Sequence, residues 1–113
     1  HAMRNPTFAK IVATEEKIVE GSNGIGRHKL TNINQLVGRV NGVMGVKTGW
    51  TEAARENLVT FVERESKPII IVMLGSQDRF GETEELIEWI YENYDWKDVT
   101  EIYSEDTSSF VSP

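Results

Sequence analysis

Lys47-Thr48-Gly49-Trp50-Thr51 sets an ammonium, a hydroxyl and a stretch of bare backbone in succession at the end of a short apolar run. A lysine there is a fixed positive charge, suited to a peptide carboxylate or to an anion that develops during a reaction. A threonine hydroxyl can donate a hydrogen bond without the bulk of a longer side chain. A glycine in a strand leaves room for another backbone to come close. The same residues also have an ordinary explanation: an exposed lysine at a strand end, and a threonine chosen for its β-propensity. No nucleophile accompanies them. The chain has no cysteine, and its two histidines, His1 and His28, lie far apart and form no metal-binding pattern.

The elements that must position this segment follow from spacing. Asn5-Pro6 is a helix start, because Asn can cap and Pro is tolerated at the first helical position. Phe8, Ile11 and Val12 then mark a short amphipathic helix over 6–13. Lys17-Ile18-Val19 suggests a brief strand, and the glycine-rich segment 21–26 a loop rather than a phosphate cradle. Val43 to Thr48 reads as a strand entered and left through glycines. Leu58, Thr60 and Val62 alternate with Asn57, Val59 and Phe61, which predicts a strand over 56–64. Ile69 to Leu74 is apolar at every position, as expected of a strand covered on both faces. Three successive strands with short connections favour an antiparallel meander. Phe80, Thr83, Leu86, Ile87, Ile90, Tyr91 and Tyr94 recur at three and four residues, marking a helix over 81–94. Trp89, Tyr91, Tyr94 and Trp96 fit packing on that helix better than a carbohydrate or cofactor surface.

With 113 residues, the chain holds one domain at most. Its 39% hydrophobic and 27% charged content is that of a folded protein, so the fold class is α+β: an antiparallel sheet with flanking helices. A net charge of -6 argues against nucleic acid or an anionic membrane as the main partner. His1-Ala2-Met3 looks like a cloning scar, residues 4–96 like the folded portion, and 97–113 like a tail, linker or edge strand. No leader peptide is visible, which on that reading says nothing about export.

Five ordered blocks carry a more specific signal. They are Asn32-x-Asn34-x-Leu36, Gly45-Val46-Lys47-Thr48-Gly49-Trp50-Thr51, Asn57-Leu58-Val59, the apolar strand ending in Gly75, and the closing helix with Arg79 ahead of it. Together they resemble the serine D-alanyl-D-alanine carboxypeptidases, the low-molecular-mass penicillin-binding proteins, over roughly residues 5–96. The resemblance implies a partial penicillin-binding-protein/β-lactamase-like transpeptidase fold and no cofactor. The family mechanism uses a Ser-x-x-Lys, a Ser-x-Asn and a Lys-Thr-Gly. Only the third is here: no serine stands three residues before a lysine, and Ser76-Gln77-Asp78 and Ser104-Glu105-Asp106 follow the Lys-Thr-Gly rather than precede it.

By that resemblance Lys47 helps move protons and orient the substrate, and Thr48 receives its terminal carboxylate. Gly49 admits the substrate backbone, the Trp50 N–H is one of two oxyanion-hole donors, and Arg79 helps bind the carboxylate. Two departures stand out: Ala54-Arg55 replaces a usual Ala-Gly, and Ile33 stands where some relatives carry an arginine. The expected parent is an exported cell-envelope enzyme that trims peptidoglycan stem peptides through an acyl-enzyme and is trapped by β-lactams. The isolated chain should be inactive. A bare edge on the last strand should favour dimers or strand-swapped assemblies. A β-lactamase or transpeptidase, and a non-catalytic binding or assembly module on the same scaffold, remain alternatives.

Overall fold

A computed structural model describes residues 1–99. After a 3₁₀ turn at Ala2–Arg4, helix α1 spans Pro6–Val12. The Asn5 side chain caps it, accepting from the N–H groups of Thr7 and Phe8 at 3.0 and 3.1 Å. Strands β1 (Glu16–Glu20) and β2 (Arg27–Thr31) then form a separate antiparallel hairpin. Strands β3 (Val43–Thr51), β4 (Arg55–Arg64) and β5 (Lys67–Ser76) form the expected meander, in the order β3-β4-β5. Helix α2 (Arg79–Asn93) packs back across β4 and β5.

The core lies between α2 and one face of this sheet. Leu58, Val62 and Ile71 from the strands meet Ile87 from the helix, and Leu36, Val37, Val40 and Val43 close the end near β3. Leu36 is delivered by two asparagines in series. Asn32 donates its side-chain amide to the carbonyls of Val12 and Thr14, which ties the hairpin to the end of α1. Its carbonyl oxygen accepts from Asn34 N–H, and the Asn34 side chain in turn accepts from Leu36 N–H. Gly45 is needed where α1 presses on β3: a Cβ there would lie 2.8 Å from Val12 Cγ2, and its φ is +138°.

Three expectations change. Strand β2 is absent from the sequence reading because all five of its residues are exposed, so no apolar alternation marks it. Ion pairs across the hairpin, Lys29–Glu16 at 2.8 Å and Arg27–Glu20 at 3.2 Å, accompany its register instead. Strand β5 is covered on one face only, with Ile70, Val72 and Leu74 63%, 57% and 74% exposed, and it forms an outer strand of the sheet. The expected stripe on α2 buries Thr83 and Ile87 and half-buries Phe80, Leu86, Ile90 and Tyr91, whereas Tyr94 stands out in solvent against Trp89. The expected tail lies outside the described residues from 100 onward.

Helix α2 is also held by charge. Arg64, at the end of β4, makes a bidentate pair with Glu88 at 2.9 and 2.7 Å and lies over the Tyr91 ring. That hydrogen-bonded pairing holds the Glu88 carboxyl below its ordinary value. A carboxyl lowered by folding stabilises the fold above its unfolded pKa, and the contribution is lost as pH falls through the folded value. Glu88 is half exposed, so the effect is modest and screened by salt. Urea unfolding of Glu88→Gln is expected to show a lower midpoint than wild type at pH 7, and no difference once pH has fallen below the native Glu88 pKa.

Candidate active-site wall

Lys47, Thr48, Gly49 and Trp50 lie consecutively on β3, which pairs with β4 on one side and with no other described strand on the other. Direct pairing fixes their facing: Lys47 stands opposite Val59, and Val59 opposite Val72, so all three share one sheet face. Thr48 stands opposite Leu58, and Leu58 opposite Met73, on the face that α2 covers. Lys47 is exposed, Thr48 and Gly49 half-buried, and the Trp50 side chain 66% exposed. The Lys47 ammonium donates to the Thr48 carbonyl.

Gly49 is not required by its own backbone. Its φ is not positive, and a Cβ would meet only Asn57 Cβ, at an ordinary 3.8 Å. The space it leaves is therefore available to something outside the strand.

Arg79 joins this edge from behind, across thirty residues of sequence. Only 9% exposed, it places Nη1 2.9 Å from the Gly49 carbonyl oxygen and stacks its guanidinium over the Phe80 ring at 4.8 Å. Its backbone N–H donates to Glu56 Oε2 at 3.1 Å, and Glu56 pairs with Trp50 in the β3–β4 ladder. A carboxylate at that point satisfies one of the unpaired donors of the first helical turn. Asp78 caps the same turn through Gly81 N–H. Ser76, the serine of the loose Ser-Gln-Asp imitation, is buried and accepts from Asp78 N–H, a structural role.

One residue has a role that the sequence reading did not assign. Asn57 donates to the carbonyls of Ala54 and Arg55, and its own carbonyl accepts from Gly75 N–H at 3.1 Å. It thus clamps the β3–β4 turn to the bulge where β5 ends. The signal was present, since asparagine is depleted in strands and one placed there usually bonds to backbone. The turn it holds contains Arg55 at φ +56°, a left-handed residue, which accounts for the glycine usual at that place.

Two concavities lie near these elements. A shallow one of about 480 Å³ at the end of β3 is lined by Trp50, Glu52, Arg55, Glu56, Ser76 and Gln77. A larger groove of about 750 Å³ lies between α1 and the β1–β2 hairpin and includes none of the Lys-Thr-Gly residues. Of its polar lining, the Asn32 amide is committed to backbone carbonyls and Glu16 pairs with Lys29.

An antiparallel meander backed by a C-terminal helix, with Lys-Thr-Gly on its outer strand, defines part of a penicillin-recognising serine-enzyme fold. Comparison with known proteins agrees. Residues 1–78 match the D-alanyl-D-alanine carboxypeptidase family, and the chain belongs to that family. Over 73 residues it is 36% identical to D-alanyl-D-alanine carboxypeptidase DacB2 of Mycobacterium tuberculosis, covering 65% of this chain and 24% of that protein. A mutant of the Streptomyces K15 DD-transpeptidase superposes with a TM-score of 0.71 at 26% identity, over 80% of this chain and 38% of that one. Penicillin-binding protein D2 of Listeria monocytogenes, in its ampicillin-bound form, gives 0.62 at 30% identity, over 75% and 34%. The chain thus spans about a quarter of the curated relative and between a third and two fifths of these solved structures.

If Gly49 serves a ligand rather than the fold, Gly49→Ala should unfold at the same denaturant concentration as wild type or higher. A compatible Gly→Ala change typically adds about 0.4–1 kcal/mol. A midpoint well below wild type would show that the glycine is structural.

Proposed function

We propose that this chain is the Lys-Thr-Gly wall of a serine D-alanyl-D-alanine carboxypeptidase, working outside the cytoplasmic membrane on peptidoglycan stem peptides. The observation that carries the proposal is a strand edge, unpaired among the described residues, that offers Lys47, the Gly49 gap and the Trp50 backbone in sequence, within a chain of this family. In the complete reaction a serine oxygen from another stretch of polypeptide attacks the carbonyl carbon of the bond between two D-alanines. Its proton passes by way of a base to the departing amine, D-alanine leaves, and water hydrolyses the ester. Thr48 and the Lys47 charge hold the substrate carboxylate along the edge. The Trp50 N–H donates to the oxyanion, an interaction whose loss typically costs about a hundredfold or more in rate. β-Lactams acylate the same serine.

Nucleophilic catalysis needs the nucleophile and its base within hydrogen-bond reach, and these 113 residues encode no Ser-x-x-Lys. Incubated with a labelled penicillin, the chain alone is expected to show no covalent adduct by mass spectrometry. The polypeptide that joins it to its serine is expected to show one, reduced at least tenfold by Gly49→Ala. An adduct on the isolated chain, or none on the longer protein, would refute the proposal.

The chain alone is also proposed to self-associate through β5, which pairs with β4 alone among the described residues and exposes Ile70, Val72 and Leu74 on one face. Sedimentation should give a dimer or larger species, shifted toward monomer by Leu74→Lys. A wild-type monomer at high concentration would count against it.

A further inference from the structure

The charge on Arg79 lacks the partner that a buried guanidinium normally has. Burying a charge costs free energy unless it is paired and hydrogen-bonded. Yet Arg79, only 9% exposed, forms no ion pair among the described residues, and its buried Nε meets no acceptor. The nearby carboxylate of Glu56 is bonded to the Arg79 backbone N–H instead. What the guanidinium does have is the Gly49 carbonyl oxygen, 2.9 Å from Nη1, with the Phe80 ring beneath.

That carbonyl belongs to the same peptide unit as the Trp50 N–H. The two groups are conjugated through the partial double bond of the amide. A cation that draws electron density onto the oxygen makes the nitrogen more positive and its hydrogen a stronger donor. Hydrogen bonds linked in this way polarise one another, and a charged donor has roughly twice the effect of a neutral one. The same bond fixes the tilt of the peptide plane, and with it the direction of the N–H.

We infer that Arg79 is a positioning residue for the oxyanion hole: from behind the strand, its guanidinium orients and polarises the Gly49–Trp50 peptide so that the Trp50 N–H binds the developing oxyanion more strongly. This rests on the functional reading above for the oxyanion itself, but the polarisation is a property of the chain alone. It differs from the role implied by family resemblance, in which the arginine touches the substrate carboxylate. A guanidinium that binds the substrate would act on ligands that carry the carboxylate. One that acts through the peptide would act on every acylating ligand alike.

Two measurements separate these roles. In the amide NMR spectrum of the 113-residue chain, Arg79→Gln should move the Trp50 proton upfield, with little change at the Val59 and Thr60 amides of the neighbouring strand. Arg79→Lys, which keeps the cation, should restore part of the shift, and Arg79→Met, which removes the charge and the donors, serves in place of Arg79→Gln should the latter fail to fold. In the serine-bearing protein, Arg79→Gln should slow acylation about tenfold, less than full loss of an oxyanion donor. The loss should fall on the rate rather than on KM. It should be equal for a peptide substrate with a free terminal carboxylate and for the same substrate as its methyl ester.

A Trp50 resonance unmoved by the substitution, or a loss confined to the free acid, overturns the inference while leaving the carboxypeptidase reading intact. Failure of the wild-type protein to be acylated by any penicillin removes that reading and the catalytic half of this inference together.

Discussion

Strand β4 is paired on both sides and covered by a helix on one face, and the position of the Lys-Thr-Gly segment follows from that. Its ladder with β3 sets Lys47 opposite Val59 and Thr48 opposite Leu58. Burial of Leu58, Thr60 and Val62 beneath α2 decides which face each of them takes. A slip of one residue would turn Leu58 out and Val59 in, and would send Lys47 to the wrong side of the sheet. The buried alternation on β4 therefore enforces the facing of an exposed lysine. The Asn57 clamp and the Glu56 contact with the start of α2 close the end of the ladder where Gly49 and Trp50 lie.

Much of this was legible in the sequence because it rests on burial, which leaves a periodic trace. The alternation in 56–64 and the three-and-four spacing in 80–94 correspond to β4 and α2 with small shifts at the ends, except that Tyr94, last of the expected stripe, is exposed. Strand β2 left no such trace, since Arg27-His28-Lys29-Leu30-Thr31 buries nothing. Ile69 to Leu74 misled in the opposite sense: hydrophobic on both faces in sequence, but packed on only one in this chain. The Lys-Thr-Gly segment was legible as residue types in order. The contact between Arg79 and Gly49 was not, because a hydrogen bond between residues thirty apart follows from how α2 docks on the sheet and not from any local pattern.

The docking of α2 contributes more than a lid on the core. Its first turn carries a cation onto the strand edge, and its later turns are held by Arg64 on Glu88 and by Tyr91 donating to the Lys67 carbonyl. These later contacts anchor the far end of the helix whose first turn carries Arg79. Stability and site geometry are coupled here through a single rigid element. The two ends of that element nevertheless differ in kind. The outer contacts are a partly exposed ion pair and a hydroxyl-to-carbonyl hydrogen bond, whereas Arg79 is buried and has no carboxylate partner among the described residues.

The uncovered sheet face and the incomplete chemistry are two sides of one arrangement. Pairing places Lys47 on the same face as Val59 and Val72, with exposed Ile70 and Leu74 further along it. Whatever protein surface covers those side chains removes water from around the Lys47 ammonium as well. A charge at the margin of such a covered face interacts far more strongly with an anion than one in open solvent, because the local dielectric falls. On the proposed reading one neighbour would serve both, burying the hydrocarbon of β5 and strengthening the pull of the Lys47 charge on an anion. On the same reading, a polypeptide that covers this face lies beside the edge that carries Lys47 and Gly49.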